Sequence, residues 1–340
     1  MNVGVAERIE DLFKEGLPYN ANWLSWLIKN KLDQLPMPGE GSTLQRWRAL
    51  AAVGQFDLSL TKLYEGHTDA LAIIEEIDQD GTDVPDGAWC VWAAEAPGGR
   101  ACIQPSDDGR VILNGAKHWC SGAVTGDHAL LTAWEGDGSA PHLVAIELDQ
   151  PGIVIDSDRW KAVGMANSLS VNVVFDRAKG RRVGRPGDYL SRPGFWHGAA
   201  GIAACWHGGT VGIASALRKS LLRANSSDGS GYMMASLGKA ELAIQDTAST
   251  LREAAAWIDA HPLLDASRVA LTARLSAERC AKLVIEEVGT AMGATPFCLD
   301  EKFAKAAADL PVFIRQSHAD RDFAALGERS LKREAAAWML

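Results

Sequence analysis

The sequence predicts an α+β multidomain chain: an N-terminal helical domain over residues 1–84, a central antiparallel β domain over 85–184 and a C-terminal four-helix bundle over 185–340. Three observations predict it. Apolar residues recur at spacings of three and four at both ends of the chain. Short β-branched runs occupy the middle. Turn residues separate those runs at intervals of about ten, which suits an all-β domain rather than alternating strands and helices. At 340 residues the chain is long enough to build several such domains.

In the N-terminal part, Leu44, Trp47, Leu50 and Ala51, then Leu60, Leu63, Leu71 and Ile74, fall on the helix period. Asp57 to Ser59 and Glu65-Gly66 read as breaks within that stretch. The expected strands are Val111 to Leu113, Ala129 to Leu131, Leu143 to Ile146, Ile153 to Ile155 and Val171 to Phe175. Pro97-Gly98-Gly99, Asp107-Asp108-Gly109, Asp137-Gly138-Ser139 and Pro151-Gly152 supply the turns between them. Beyond Pro186-Gly187, helices are predicted over 195–222, 233–260 and 265–291. The last of these carries the stripe Val269, Ala273, Ala277, Cys280, Val284 and Val288, one face to bury. A fourth helix is predicted to start near Pro311, with Asp309 as its cap, because the first helical position needs no N–H.

Composition narrows the function. Lys and Arg number 34 against 43 Asp and Glu, a net charge of −9. That balance argues against a nucleic-acid partner, which requires a basic face. The most apolar stretch, Phe195 to Leu222, is interrupted by His197 and His207, so it reads as a core helix and no membrane partner is expected. Six scattered cysteines without a CxxC read as free thiols, and the N-terminus lacks a basic start followed by an apolar core. A cytoplasmic chain is the expectation. The twelve tryptophans are read chiefly as core, with planar-ligand pockets a further use.

Candidate chemistry is sparse. Gly208-Gly209-Thr210-Val211-Gly212 lies inside a helical pattern and reads as close helix packing, not phosphate binding. His118-Trp119-Cys120 and Cys205-Trp206-His207 form a mirrored pair, but an i, i+2 pair diverges on a helix and no metal site is assigned. The run Arg315 to Asp322 sets His318 among carboxylates, either a general base or a solvated face with a His318–Asp322 pair.

Four segments, in order, resemble the acyl-CoA dehydrogenase superfamily. Trp92 to Gly99 resembles its Thr-Glu-Pro-x-x-Gly-Ser turn, and Leu113 to Gly122 its strand ending in a tryptophan and a hydroxyl residue. Trp160 to Phe175 resembles its Gly-Met stretch, and Phe195 to Leu222 the first long helix of its C-terminal bundle. The resemblance spans about residues 40–327 and implies FAD as cofactor, an acyl thioester or related small-molecule substrate, and a homodimer or homotetramer. An electron acceptor or a flavin reductase would be the redox partner. It implies that Trp119 flanks the flavin, that Ser121 beside Cys120 bonds near its N5, that backbone at Ala94 meets the pyrimidine edge and that Gly99 and Arg100 lie on the phosphate side.

Departures from the pattern bear on the reaction. The N-terminal domain is short, the family's turn threonine is Ala94, and the loop Asn225 to Gly231 carries no arginine. Glu287 stands at a glutamine that would meet a pyrophosphate, where like charges repel. The catalytic glutamate position falls on Ser317, and the alternative base position near Leu221 or Leu222. His318 or Asp320 is the substitute base. General-base catalysis supplies about 10²–10⁴-fold, so its location decides the chemistry. Three functions follow: α,β-dehydrogenation of an acyl substrate, oxygenation with reduced flavin from a separate reductase, or a non-catalytic role.

Overall fold

The computed structural model describes residues 4–14, 22–78, 84–138, 140–223 and 230–332. In chain order these form α1 (Val5–Lys14), α2 (Trp23–Lys29), α3 (Thr43–Phe56), α4 (Leu58–Ile77), β1 (Trp89–Trp92), β2 (Ala101–Pro105), β3 (Val111–Cys120), β4 (His128–Glu135), β5 (His142–Glu147), β6 (Ile153–Asp156) and β7 (Val171–Val183). The helices α5 (Asp188–Ser191), α6 (Gly194–Arg223), α7 (Ser230–Ala260), α8 (Ser267–Met292), α9 (Thr295–Leu299), α10 (Glu301–Phe313) and α11 (Asp320–Leu331) follow. Two compact units result. One gathers the described residues of 11–37 and 59–195, the other those of 1–10, 38–58 and 196–340.

The first unit is built on a barrel. β4 pairs with β2, β2 with β3, β3 with β7, β7 with β5, and β5 with β4, closing a ring of five strands. β1 lies beside β4 and β6 beside β7. The expected fold class, with its antiparallel central domain, is overturned here. β4 runs parallel to both β1 and β2, which lie in succession along one of its edges. The 93–100 loop between β1 and β2 is long enough for the chain to continue in one direction instead of folding back as a hairpin. Closure removes the exposed edges an open sheet would carry.

Side chains alternate between two cores. Cys90, Trp92, Ala129, Leu131, Ala133, Val144 and Ile146 point into the barrel with Leu113, Val173 and Phe175. The intervening Trp89, Leu130, Leu143 and Ala145 meet Ile73, Ile74 and Ile77 of α4. β4 is therefore buried on both faces, which explains its nearly unbroken apolar run. His67 of α4 joins three segments. Its Nε2 lies 3.1 Å from Asp33 Oδ2, and its Nδ1 accepts the Trp89 N–H at 3.1 Å. The Tyr64 hydroxyl donates to the Leu32 carbonyl beside it.

The helical unit corrects the rest of that fold class. α3 groups with the C-terminal helices and most of α4 with the barrel, so no free-standing N-terminal helical domain forms. The C-terminal part holds α6 to α11 among the described residues, not four helices. The predicted stripe from Val269 to Val288 is buried along α8. Glu65-Gly66 does not break α4. Pro311 lies inside α10, two residues before its end, and starts no helix. Asp300 caps that helix, accepting from the Phe303 N–H at 3.0 Å. Asp309 is buried instead, bonded to Lys305 Nζ at 2.5 Å.

Glycine packing between α3 and α6 is confirmed. A Cβ placed on Gly208 would lie 2.1 Å from the Ala51 carbonyl oxygen, and one on Gly54 2.5 Å from that of Cys205. Asp259 of α7 fixes the start of α3, accepting the Gly41 N–H at 3.0 Å and the Thr43 hydroxyl at 2.6 Å. Because backbone cannot move aside as a flexible side chain can, Gly208→Ala is expected to destabilise the protein by about 2–3 kcal/mol. A lowered urea midpoint with an unchanged slope checks this.

Candidate functional site

In the barrel unit, the carboxy-terminal end of β3 carries the predicted residues. Lys117 pairs with Val173 and Cys120 with Val171, so His118 and Trp119 share the place opposite Asn172. This bulge re-aims Trp119. Its φ of 62° is left-handed, a costly conformation for a bulky L-residue. The indole is 59% exposed and meets Trp160 edge-on, with centroids 6.4 Å apart at 86°. Trp160 is itself fixed, donating Nε1–H to the Ala166 carbonyl at 2.9 Å.

Beside the bulge, Met165 (φ 61°) and Leu169 (φ 40°) flank a single helical turn at Ala166–Ser168. Three of the six described non-glycine residues with positive φ thus fall in these two adjoining segments. Such strain persists only where the surroundings enforce it, and it marks functional sites. A hydroxyl cluster joins the segments. Ser121 Oγ lies 2.7 Å from Ser170 Oγ, and Ser170 Oγ 3.0 Å from Ser168 Oγ. The Gly122 N–H donates to the Ser168 carbonyl at 3.1 Å. Ser121 is buried, and its carbonyl accepts the Trp92 indole N–H at 3.0 Å. Cys120 is fully buried in the barrel core, and burial pushes its thiol up.

The 93–100 loop is tied to the same strand. Lys117 Nζ, buried inside the barrel end, donates to Glu95 Oε1 and Thr132 Oγ1, each at 2.8 Å. Thr132 Oγ1 donates to Glu95 Oε1 at 2.6 Å, and Trp134 Nε1 reaches Oε2 at 3.4 Å. Burial raises the Glu95 carboxyl, but the hydrogen bonds from Lys117 and Thr132 outweigh it and hold the group below its usual range. Ala96 to Gly99 form a turn closed by the Gly99 N–H on the Ala96 carbonyl at 3.1 Å, with Gly98 at φ 79°. Gly99 is obligatory by space, since a Cβ there would lie 2.7 Å from the His118 ring. Ala94 is exposed, and Arg100 lies flat over the Trp134 ring at 4.6 Å. An open groove of about 910 Å³ runs along Glu95 to Arg100, Gly115, Ala116, Trp134 and Val174 to Asp176.

The structure brings Gly99 against His118, the neighbour of Trp119, and lines the groove with Gly99 and Arg100, while Trp119 and Ser121 lie further along β3 and Cys120 is in the core. His318 and Asp320 belong to the helical unit. His318 is exposed, its Nδ1 3.4 Å from Asp322 Oδ1, and Asp320 is exposed at the start of α11. Glu287 bridges two helices, with Oε2 accepting from Ser236 Oγ at 2.8 Å and Oε1 from Lys239 Nζ at 2.7 Å. The loop residues 225–229 lie outside the described residues. Sequence reading missed Lys117, Glu95, Ser170 and Trp160 as site residues. All four stand inside the quoted strings, yet only tertiary structure shows which of them face each other.

No family model matches the chain, and no curated protein does. Solved structures do. KijD3 in complex with FMN and dTDP-3-amino-2,3,6-trideoxy-4-keto-3-methyl-D-glucose superposes with a TM-score of 0.82 at 16% identity, over 98% of this chain and 95% of that one. TdsC from Paenibacillus sp. A11-2, a dibenzothiophene monooxygenase solved with FMN and indole, gives 0.80 at 17% identity over 97% and 96%. Methanesulfinate monooxygenase MsuC from Pseudomonas fluorescens gives 0.74 at 16% over 97% and 96%. The fold is therefore the acyl-CoA dehydrogenase type, in a divergent version. No described helix is long and apolar enough to cross a membrane.

Because among the described residues Lys117 pairs with no other carboxylate, Glu95→Gln leaves a buried ammonium short of its counter-charge. The expected loss is about 2 kcal/mol at neutral pH, discounted because the carboxylate is partly exposed. A depressed folded value means this contribution is present above the ordinary carboxylate range and fades as pH falls through the lowered value. Urea midpoints of the wild type and Glu95→Gln should therefore converge in acid.

Proposed function

We propose that the chain is a flavin-dependent oxygenase that takes FMN and acts on a small molecule. The observation that carries this reading is the donor set at the end of β3. An exposed indole is held by a strained bulge, next to three clustered serine hydroxyls. That combination fits a flat heteroaromatic ring with a polar edge. Trp119 would lie against the ring, Ser121 and its neighbours would bond its polar rim, and backbone at Ala94 and Gly99 would line the edge. When bound, reduced FMN and dioxygen supply one oxygen atom to the substrate, the other leaving as water and the flavin leaving oxidised. A separate reductase would supply the reduced flavin.

FMN is favoured over FAD by Arg100, a cation at the groove that suits a single phosphate. Among the described residues no carboxylate pairs with it, and Trp134 holds its guanidinium at the groove. The similar structures with FMN support the same choice.

Oxygenation is favoured over α,β-dehydrogenation by the missing base. Ser317 replaces the glutamate, and its hydroxyl is engaged by Asp322 Oδ2 at 3.3 Å. His318, exposed beside it, would be a proton-exchanging group on the helical unit, and Asp320 would keep that surface acidic.

Binding of FMN, FAD and riboflavin followed by flavin fluorescence tests the reading. FMN is expected to bind more tightly than either. Arg100→Ala should cost about tenfold for FMN and nothing for riboflavin, the loss of one charge-assisted contact. With reduced FMN and indole, label from ¹⁸O₂ should enter the product. Absence of any flavin binding, or anaerobic bleaching of bound flavin by an acyl thioester, would overturn it.

A further inference from the structure

The two carboxylates that follow His318 have different surroundings. Asp320 is exposed. Asp322, two residues on, is 9% exposed and folds back over the turn that precedes α11. Its Oδ2 accepts the His318 backbone N–H at 3.0 Å and the Ser317 hydroxyl at 3.3 Å. Ser317 Oγ in turn accepts the Ala319 N–H at 3.3 Å. Ala319 is forced to φ 48° and ψ −116°, a strained conformation for a residue with a Cβ. The carboxylate therefore organises the whole 317–322 turn.

The other end of that turn is anchored from below. Arg274 of α8 donates to the Gln316 carbonyl at 2.7 Å and to the Ala199 carbonyl at 3.2 Å, with its guanidinium 5.0 Å from the Trp206 ring. Glu278, one helical turn further along α8, is buried and faces Lys282 Nζ at 2.5 Å and Arg315 at 3.7 Å. With backbone fixed on both sides, the imidazole of His318 has little freedom except about its own side-chain bonds. Its Nδ1 stands 3.4 Å from Asp322 Oδ1, and among the described residues nothing pairs with its Nε2.

We propose that Asp322, held by Ser317, is the positioning residue for His318: it takes the Nδ1–H, so that the Nε2 lone pair faces outward as the proton-exchanging atom. A neutral imidazole carries one N–H, and the nitrogen that donates to a carboxylate leaves the other as acceptor. A base oriented by a third group is the general arrangement of activated sites. The function assigned to His318 rests on the oxygenase reading above. The orientation itself does not.

The test is nitrogen NMR of protein labelled with ¹⁵N-histidine, at about pH 8, where free imidazole is neutral. The chain has eight histidines, and the signal lost in His318→Gln assigns the one wanted. The Nδ1–H tautomer is expected for His318 in the wild type, and the Nε2–H tautomer, favoured by free imidazole, in Asp322→Ala. Asp322→Glu should retain the wild-type form. An Nε2–H tautomer in the wild type overturns the proposal, as does an unchanged tautomer in a folded Asp322→Ala. If that variant does not fold, the wild-type spectrum still decides. Product formation is read separately: with the Nδ1–H tautomer found and full oxygenation by His318→Gln, the positioning stands and the role given to His318 in the oxygenase reading falls.

Discussion

A lysine ammonium inside the barrel end is the constraint around which the surface carrying Trp119 is arranged. Lys117 points inward from β3 among apolar side chains and is almost wholly buried. An unpaired charge there would cost several kcal/mol, on the order of the whole stability of a domain. Its carboxylate comes from Glu95, which requires the 93–100 loop to cross the barrel end near Thr132 and Trp134. The next residues on both chains are then forced together. His118 meets Gly99 so closely that no side chain fits, and Trp119 is left to turn outward. One ion pair thus sets the loop, the glycine and the bulge.

Strain is tolerable here because the barrel beneath is closed. Left-handed Trp119, Met165 and Leu169 each oppose the local preference of the chain. They sit where β3 and β7 end their pairing, over a core filled from every strand of the ring. The hydrogen bond from Gly122 to Ser168 and the serine hydroxyls tie the two strained segments to each other. A rigid support with few degrees of freedom is what lets a flat ligand meet an already oriented surface.

The long helices were legible in the sequence because their periodicity is local. The helix predicted over 195–222 is observed as Gly194–Arg223, and the stripe on α8 is buried as its spacing required. Strand partners were not legible. Alternation reports which face a residue takes, not which strand lies beside it, so the parallel pairings of β4 had no local signal. Pro311 misled because proline suits a helix start yet here lies inside α10, while the capping signal at Asp300 was overlooked. At the site, Trp119 and Ser121 were singled out through the resemblance. The Lys117–Glu95 pair, twenty-two residues apart in sequence, needed the fold.

The position of negative charge in the helical unit bears on the chemistry more than its amount. The sequence lost a carboxylate at Ser317, yet the fold surrounds that serine with two others, Asp322 on α11 and Glu278 on α8. Neither is arranged as a base. Burial raises Glu278, but the hydrogen bond from Lys282, with Arg315 nearby, holds it below the usual range. Asp322 is occupied by the turn it organises. A carboxylate paired as Glu278 is with Lys282 is a poor proton acceptor, since that hydrogen bond must weaken when it is protonated. The His318 ring beside them is exposed, and among the described residues nothing pairs with its Nε2. That arrangement accords with the oxygenase reading proposed above, in which no free carboxylate has to remove a carbon-bound proton.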